Sequence, residues 1–318
     1  MPPKVVKTDG GRVALSDDDR AMLAAVGLEL AEIDGSTERA LIEQAAGAAA
    51  LLVVKEPITA QVLDHLAGCR VVARFGVGLD TVDVQAATQR GITVTNVPDA
   101  NFKEVAAHAL AMILALVRRL PALDEATRRG DWNIAAARGV RRRDELVLGI
   151  IGVGRIGGRV ASSAGALGFT VTGFDPHLPE STVRERGAQP VSLDDLITSS
   201  DVISLHLPLS DDTRGLIDRA RIEQMRRGAI LVNTARSGLL DEDALVEALA
   251  GGMLAGAALD AYEHEPLALD SPLLSAPNLI LTPHIAHYSN ASHREIVEKA
   301  LADVVRVLRG EPPRYPVN

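Results

Sequence analysis

The sequence contains little cysteine and few aromatic residues. One of its 318 residues is a cysteine, Cys69, and aromatic side chains make up 3% of the chain. A single cysteine excludes an internal disulfide framework and a cysteine-rich zinc site, and it is typical of the reducing cytoplasm. The scarcity of aromatics predicts a core of aliphatic strands and small-residue helices, which is typical of a parallel sheet buried on both faces.

Excess positive charge and long apolar runs are absent as well. The net charge of −9 argues against nucleic-acid or anionic-membrane partners. The longest apolar stretches, Ala45–Val54 and Val105–Val117, are shorter than the ~18–20 residues that cross a bilayer. No apolar signal-peptide core follows the N-terminus. We therefore expect a cytoplasmic protein whose partner is a small molecule.

From about residue 146 onward, aliphatic strands alternate with helical stretches. Repeated βαβ units predict a parallel sheet with right-handed crossovers, and six strands predict the doubly wound dinucleotide-binding fold. The predicted strands are Leu146–Val153, Thr170–Asp175, Val202–Leu207, Ala229–Ala235, Gly256–Tyr262 and Leu279–Pro283.

The first hundred residues show the same alternation on a smaller scale. Predicted strands at Ala49–Val54, Val71–Phe75 and Ile92–Thr95 precede a breaker cluster at 96–99, and one long helix, Glu104–Leu120, then ends at Pro121. We interpret the C-terminal helix, at 292–308, as returning to the first domain. The prediction is an α/β protein in which a Rossmann dinucleotide-binding domain, 101–286, is inserted into a flavodoxin-like substrate domain, 1–100 plus 287–318.

A G-x-G-x-x-G motif directly follows the first strand of the predicted Rossmann domain. Its glycines suit a tight turn, a close approach to a pyrophosphate and close helix–strand packing. The helix that starts there offers free N–H groups to phosphates. The alternative is a glycine-rich turn without a ligand. The motif consists of Gly152, Val153, Gly154, Arg155, Ile156 and Gly157.

Asp175 ends the next predicted strand, 18 residues after Gly157. A carboxylate about 20 residues beyond the glycines binds the ribose hydroxyls in dinucleotide folds and repels a 2′-phosphate. No arginine follows it, so the sequence predicts NAD rather than NADP as the cofactor. The alternative is an aspartate that only caps a turn.

Seven stretches spread over nearly the whole chain form a recognisable series: Arg74–Asp80, Asn96–Pro98, Leu148–Gly157, Leu205–Leu209, Asn233–Arg236, Ala258–Pro266 and Thr282–Ala286. In these motifs and in their order, the sequence resembles the D-isomer-specific 2-hydroxyacid dehydrogenases. The ending Pro283–Ser289 is similar to the branch that includes C-terminal-binding proteins and bacterial proteins labelled phosphoglycerate-dehydrogenase-like.

The resemblance implies three catalytic residues. Arg236 would hold the carboxylate of a 2-oxo acid with its planar fork, and His284 would be the general acid/base. Glu265 would orient the imidazole and favour its protonated form. Taken alone, each residue has a plain alternative: a surface arginine, a structural histidine and a surface acid.

The resemblance also implies further binding residues. The backbone N–H groups of Val77 and Gly78 would bind the substrate carboxylate, and Asp260 would contact the nicotinamide amide. The remaining residues of the implied cofactor pocket are Val105, His206, Pro208, Thr213, Thr234 and Ala235.

Three positions depart from the family pattern. Lys55 follows a predicted strand where the family often meets the distal end of the substrate, so it is either a second cation for an acidic substrate group or a solvated lysine. His287 stands where the related branch usually has tryptophan, and we expect it to line the substrate pocket. Ala107 replaces a glutamate that is common in the family. The family works without metal, so we predict no metal site.

Two classes of function fit this sequence. One is an NAD-dependent D-2-hydroxyacid dehydrogenase or 2-oxo acid reductase, and the other is an NAD(H)-sensing corepressor scaffold. The set of Arg236, Glu265 and His284 favours the enzyme, and Glu265 argues against formate dehydrogenase, which needs no acid/base. The identity of the 2-oxo acid stays open. The apolar helix Glu104–Leu120 predicts a homodimer, because one domain cannot bury all of its faces.

Overall fold

A computed structural model describes residues 2–132 and 134–318 and divides the chain into two compact units. The first unit comprises the residues up to Asn101 together with Ser289–Asn318. The second unit is the continuous segment Phe102–Tyr288. The chain therefore leaves the first unit once and returns to it once.

The first unit is built on a five-stranded parallel sheet. The strands are β1 (Lys4–Lys7), β2 (Glu29–Glu32), β3 (Ala48–Val53), β4 (Val71–Arg74) and β5 (Thr93–Thr95). Their order in the sheet is β2-β1-β3-β4-β5, the order of flavodoxin-like folds. β1 and β2 were not among the predicted strands.

Five helices complete the first unit. They are α1 (Asp17–Ala25), α2 (Glu38–Gln44), α3 (Ala60–Asp64), α4 (Val84–Gln89) and the C-terminal helix (Asn290–Leu308). Ser289 begins the C-terminal helix with a capping box: its side chain accepts a hydrogen bond from the Ser292 N–H, and the Ser292 side chain accepts one from the Ser289 N–H. The buried face of this helix, which includes Ile296 and Leu301, belongs to the same core cluster as β3 and β4.

The second unit contains a seven-stranded parallel sheet. Its strands are β6 (Val147–Ile151), β7 (Thr170–Phe174), β8 (Gln189–Pro190), β9 (Val202–Leu205), β10 (Ala229–Asn233), β11 (Leu254–Leu259) and β12 (Leu279–Leu281). The order β12-β11-β10-β9-β6-β7-β8 reverses direction at β6 and β9, which is the switch point of a doubly wound sheet. The predicted α/β class is confirmed, and β8 is an additional short edge strand.

Helices cover both faces of this second sheet. They are α5 (Phe102–Val117), α6 (Leu120–Arg128), α7 (Arg155–Ala166), α8 (Glu180–Glu185), α9 (Leu193–Ser199), α10 (Arg219–Gln224) and α11 (Glu242–Ala250). Two core clusters, one containing Ile203 and Leu245 and the other Ile150 and Val160, fill the unit. The packing of α5 against α7, β10 and β11 places its middle beside the strand ends that carry the candidate site.

The end of α5 differs from the prediction. Pro121 does not end the long helix; α5 stops at Val117, and Pro121 lies in the first turn of α6, where a missing N–H costs nothing. Arg119 makes the break with a left-handed backbone, φ 52°. Among the described residues, no single helix has the length and apolarity to cross a membrane; α5 and α6 pass that test only together, as a pair bent by 58°.

Candidate active site

The glycine motif forms a tight loop between β6 and α7. A Cβ on Gly157 would lie 1.9 Å from the carbonyl oxygen of Gly152, and a Cβ on Gly152 would lie 2.7 Å from the backbone of His206. A Cβ on Gly154 would meet nothing within 4 Å. Two glycines are thus required by packing, and the third leaves open space at the N-terminus of α7. A pyrophosphate suits such a space, because a helix N-terminus presents N–H groups and the positive end of the helix dipole to an anion.

Asp175 lies directly after β7, beside the glycine loop. Its carboxylate accepts hydrogen bonds from the N–H of Val153 at 2.9 Å and from the N–H of His177 at 3.0 Å. The second bond closes a turn, so Asp175 has the turn role that the sequence left open as an alternative. The first bond fixes the carboxylate against the loop, in a position that suits a ribose. Ribose binding by Asp175 stays a prediction.

Three further residues of the predicted cofactor pocket follow β9. Nε2 of His206 lies 2.9 Å from the Ser204 hydroxyl. The Thr213 hydroxyl donates to the carbonyl of Pro208 at 2.7 Å and accepts from the Ser210 N–H at 2.8 Å, which ties the loop together. These contacts are internal to the protein, so the roles of His206, Pro208 and Thr213 toward a cofactor stay predictions.

Burial lowers the pKa of His206 to about 4, from an ordinary value near 6.5. Between pH 6.5 and 4 the unfolded chain therefore binds a proton at this residue and the folded chain does not, so stability falls as the pH is lowered. We expect His206→Gln to remove this component, which is worth up to about 3 kcal/mol. Urea unfolding at pH 7 and pH 4.5 should show a smaller acid loss in His206→Gln than in the wild type, and His65→Gln, at an exposed site, should change nothing.

The loop after β10 contains Thr234, Ala235 and Arg236. The side chain of Asn233 braces it, donating to the carbonyl of Arg236 at 2.8 Å and accepting from the N–H of Ala235 at 3.0 Å. The Thr234 hydroxyl is buried and has no hydrogen-bond partner in the described part of the chain. An unsatisfied buried hydroxyl beside the carboxyl edge of the sheet suits a bound polar ligand.

The remaining predicted cofactor residues lie on two helices. Arg155 is exposed and Ile156 is half-buried, both in the first turn of α7, while Val105 is buried on α5. All three belong to the second unit. The contacts of these three residues with a dinucleotide stay predictions.

His284 and Glu265 form a hydrogen-bonded pair. Nδ1 of His284 lies 2.7 Å from Oε1 of Glu265, although the residues are 19 positions apart in sequence. The same oxygen accepts the N–H of Tyr262 at 3.2 Å, which holds the carboxylate in place. Because an ionised carboxylate only accepts hydrogen bonds, Nδ1 carries a proton and Nε2 is the atom available for proton transfer. The His284 and Glu265 side chains are 31% and 20% exposed, so solvent reaches both.

The backbone of His284 is left-handed, with φ 54°, which is costly for a residue other than glycine. Asp260, 2% exposed, holds the adjacent segment: its carboxylate accepts the N–H groups of Ile285 at 2.9 Å and Ala286 at 2.8 Å, and the hydroxyl of Thr282 at 2.6 Å. Three of its roughly four acceptor positions are therefore in use. Asp260 has a structural role that the sequence did not predict, and its contact to a nicotinamide amide stays a prediction.

Tyr262 also holds this segment and was not predicted. Its hydroxyl lies 2.7 Å from the carbonyl of Thr282 and 2.9 Å from that of Leu259, so it connects the ends of β11 and β12. Burial raises the pKa of Tyr262 to about 12, and the phenol therefore stays protonated and donating at neutral pH. The position of Tyr262 within the stretch 258–266 is the signal that could have found it.

His287 lies close to the proposed acid. Its ring centroid is 6.4 Å from that of His284, in an edge-to-face arrangement. Its predicted contact with substrate stays a prediction. Among the described residues, no group of three histidine, cysteine, aspartate or glutamate side chains is arranged to hold a metal ion.

Lys55, Val77 and Gly78 lie in the first unit. Lys55 comes two residues after β3, and Glu56, 3% exposed, anchors this loop by accepting the N–H of Val54 at 2.7 Å and the Thr8 hydroxyl at 3.2 Å. The carbonyl of Val77 accepts the Asn96 amide at 2.8 Å. Both loops are braced, and the substrate roles of Lys55, Val77 and Gly78 stay predictions.

The three predicted catalytic residues all belong to the second unit. Arg236, Glu265 and His284 follow β10, β11 and β12, which are neighbouring parallel strands. The glycine loop, Asp175 and His206 follow β6, β7 and β9 at the same carboxyl edge. Open α/β sheets bind ligands at this edge. The arrangement can hold a dinucleotide at one part of the edge and exchange a proton at another.

The chain is similar to known proteins of one family. The family model for the NAD binding domain of D-isomer specific 2-hydroxyacid dehydrogenases matches residues 110–286. A D-3-phosphoglycerate dehydrogenase of Archaeoglobus fulgidus is 38% identical over 92% of this chain and 55% of its own length. A glyoxylate reductase of Korarchaeum cryptofilum is 36% identical over 89% of this chain and 86% of its own.

A solved structure is similar over the whole fold. The D-lactate dehydrogenase of Aquifex aeolicus, complexed with NAD and lactic acid, is 30% identical and superimposes with a TM-score of 0.86 over 96% of each chain. The present chain spans about half the length of the phosphoglycerate dehydrogenases that it matches.

Proposed function

The chain belongs to the D-isomer specific 2-hydroxyacid dehydrogenase family, and we propose that it interconverts a 2-oxo acid and a D-2-hydroxy acid with NAD(H). Family membership confirms the resemblance predicted from the sequence and NAD as a cofactor, while the preference for NAD over NADP stays a prediction. The observation that carries the proposed activity is the 2.7 Å pairing of His284 with Glu265. A scaffold that only senses NAD(H) has no use for an oriented acid/base, and neither of the two relatives described above is named as a corepressor.

The chain's own residues account for the proton and for the substrate charge. NADH, when bound at the glycine loop, supplies the hydride. In the reducing direction, protonated His284 gives the Nε2 proton to the carbonyl oxygen, which becomes the hydroxyl of the product. Glu265 accepts the hydrogen bond from Nδ1–H before and after the transfer, and its negative charge stabilises the imidazolium before the transfer. Arg236, on its braced loop, binds the carboxylate of the 2-oxo acid with its planar fork.

The test of this proposal is NADH oxidation against a panel of 2-oxo acids. The panel contains glyoxylate, hydroxypyruvate, phosphohydroxypyruvate and larger aliphatic 2-oxo acids. We expect reduction of at least one of them, with a product of the D configuration where the product is chiral. Absence of oxidation with the whole panel, by a protein that binds NADH, would overturn the proposal.

Cofactor preference is expected to follow Asp175. We predict a higher kcat/KM with NADH than with NADPH, because a 2′-phosphate beside the fixed carboxylate of Asp175 meets like charge. Asp175→Ala should narrow the ratio of the two kcat/KM values. Asp194→Ala, at the start of α9, is a control acid that should leave the ratio unchanged. A wild type that prefers NADPH would contradict the prediction.

Lys55 is proposed to select substrates with an anionic distal group. Its loop is anchored by buried Glu56, so the lysine is presented from a fixed backbone. We expect Lys55→Ala to raise KM at least about fivefold for a phosphorylated or dicarboxylic 2-oxo acid, because a charge-assisted contact worth about 1 kcal/mol or more is lost. Glyoxylate has no distal group, and its KM should stay unchanged. Equal effects on both substrates, or none, would contradict this role.

We further propose that the protein is a cytoplasmic homodimer. Trp132 is 88% exposed, Ile134 79% and Leu120 54%, all close in sequence to the end of α5 and α6. On α5 itself, Ala107 and Ala111 are exposed and small, which permits close approach of a second helix. Light scattering should give the mass of two chains at micromolar concentration, and a single-chain mass would contradict the proposal.

A further inference from the structure

A chain of hydrogen bonds links helix α5 to the segment that carries His284. His108, in the middle of α5, places Nε2 3.0 Å from the hydroxyl oxygen of Thr282. That hydroxyl lies 2.6 Å from Oδ1 of Asp260. His108 is 174 positions from Thr282 in sequence, and the proposed mechanism gives it no role. All three residues belong to the second unit.

The direction of these bonds follows from the number of protons. A threonine hydroxyl has one proton, and an ionised carboxylate only accepts, so the Thr282 hydroxyl donates to Asp260. The Thr282 oxygen must then accept from His108, which assigns a proton to Nε2 of His108. The chain therefore runs from His108 to Thr282 and from Thr282 to Asp260, and each donor is satisfied.

Asp260 connects the Thr282 hydroxyl to the backbone next to His284. The same carboxylate accepts the N–H groups of Ile285 and Ala286, the two residues that follow His284. The N–H of His284 in turn donates to the carbonyl of Thr282 at 2.9 Å. The left-handed conformation of His284 is costly for a residue other than glycine and persists only where the surroundings enforce it. The hydrogen bonds to Asp260 and to the Thr282 carbonyl enforce this conformation of His284.

We propose that His108 is a positioning residue for the reaction. Its Nε2–H holds the Thr282 hydroxyl turned toward Asp260, which keeps both carboxylate oxygens aligned on the segment 284–286 and keeps His284 against Glu265. This inference rests on the proposed function, because it assigns His108 to that same acid. His108 acts through Thr282 and is not itself a proton donor to substrate.

The first test compares two replacements of His108. His108→Leu removes the donor, and His108→Gln keeps an N–H at nearly the same reach. We expect kcat to fall about tenfold or more in His108→Leu, as for other residues that orient a reacting group, with KM for NADH unchanged within about twofold. His108→Gln should retain most of the wild-type kcat. The same two replacements of His65, which is exposed and bonds the carbonyl of Gln61, are the matched controls.

The second test asks whether His108 acts through Thr282. Thr282→Val removes the hydroxyl and Thr282→Ser keeps it, so the valine variant should lose activity and the serine variant should keep most of it. The kcat of the double variant His108→Leu/Thr282→Val should be no lower than that of Thr282→Val alone, because both substitutions interrupt the same series of hydrogen bonds. Losses that multiply in the double variant, or a His108→Leu enzyme with wild-type kcat, would overturn the proposal.

A third measurement does not depend on turnover. Ring ¹⁵N resonances of His284, assigned by their loss in His284→Gln, should shift in His108→Leu and keep their wild-type positions in His108→Gln. Unshifted His284 resonances in His108→Leu would overturn the positioning role. A wild type without reductase activity would overturn the proposed function alone, since the resonances still report on the geometry.

Discussion

His284→Ala is expected to lower kcat for reduction of the best 2-oxo acid by about 100-fold or more, the usual effect of losing a positioned general acid. The structure supports a large effect, because Nδ1 of His284 is already committed to Glu265 and leaves Nε2 as the single transferable proton. Binding of NADH should be retained, since the glycine loop follows a different strand, β6. The measurements are steady-state kcat and a fluorescence titration with NADH.

Glu265→Gln should leave a measurable rate but lower kcat for reduction, by less than His284→Ala does. An amide oxygen can still accept the Nδ1–H of His284, but it carries no negative charge to stabilise the imidazolium that gives up its proton. His264→Ala, at the exposed neighbour of Glu265, is the control. A Glu265→Gln enzyme with wild-type kcat, or a His284→Ala enzyme with near-normal kcat, would rule out the proposed pair.

Gly157→Ala is expected to abolish NADH binding and to destabilise the second unit. A Cβ at this position would lie 1.9 Å from the Gly152 carbonyl oxygen and 3.1 Å from Cγ2 of Ile150, so helix and loop must separate. Such overpacking costs about 1–3 kcal/mol, and the shift would move the N–H groups that we propose bind the phosphates. We expect NADH affinity to fall at least 100-fold.

Gly154→Ala distinguishes cofactor binding from folding. Its Cβ would enter open space, so the urea midpoint should match the wild type. Gly154→Ala should nevertheless bind NADH more weakly than the wild type, because the added methyl group occupies the space that we assign to the pyrophosphate. Tight NADH binding by Gly157→Ala would contradict the assignment, and so would an unchanged affinity in Gly154→Ala.

The sequence predicted every strand of the second sheet except β8, because the others lie in aliphatic runs, whereas β8 has only two residues, Gln189 and Pro190. It did not predict β1 or β2. β1 has four residues, two of them lysine, and β2 is an edge strand that reads Glu29-Leu30-Ala31-Glu32, so neither has a clear period. Pro121 was interpreted as a helix stop, although a proline is equally suited to the first turn of the next helix.

The candidate site was predicted unevenly for a related reason. Arg236, Glu265 and His284 stand in short family motifs, and each follows a strand end, so local patterns point to them. His108 shows no such pattern, since a histidine on a helix otherwise rich in apolar residues resembles any partly buried residue. Its contact with Thr282 depends on how α5 packs against β10 and β11, and periodicity does not encode that packing. The brace made by Asp260 depends likewise on bonds to residues 22 to 26 positions away.

The insertion of one unit into the other has a consequence for the order in which the chain folds as it leaves the ribosome. The second unit is continuous, so all of its core residues have left the ribosome once residue 288 has emerged, and the unit can fold. The first unit must wait for Ile296, Leu301 and Val304 of the C-terminal helix to fill its core. Residues synthesised first thus complete their fold last, and the apolar face of the early sheet stays uncovered during synthesis, when such surfaces are prone to aggregate. Deletion of residues 289–318 should therefore leave the second unit folded and the N-terminal part of the first unit sensitive to proteases.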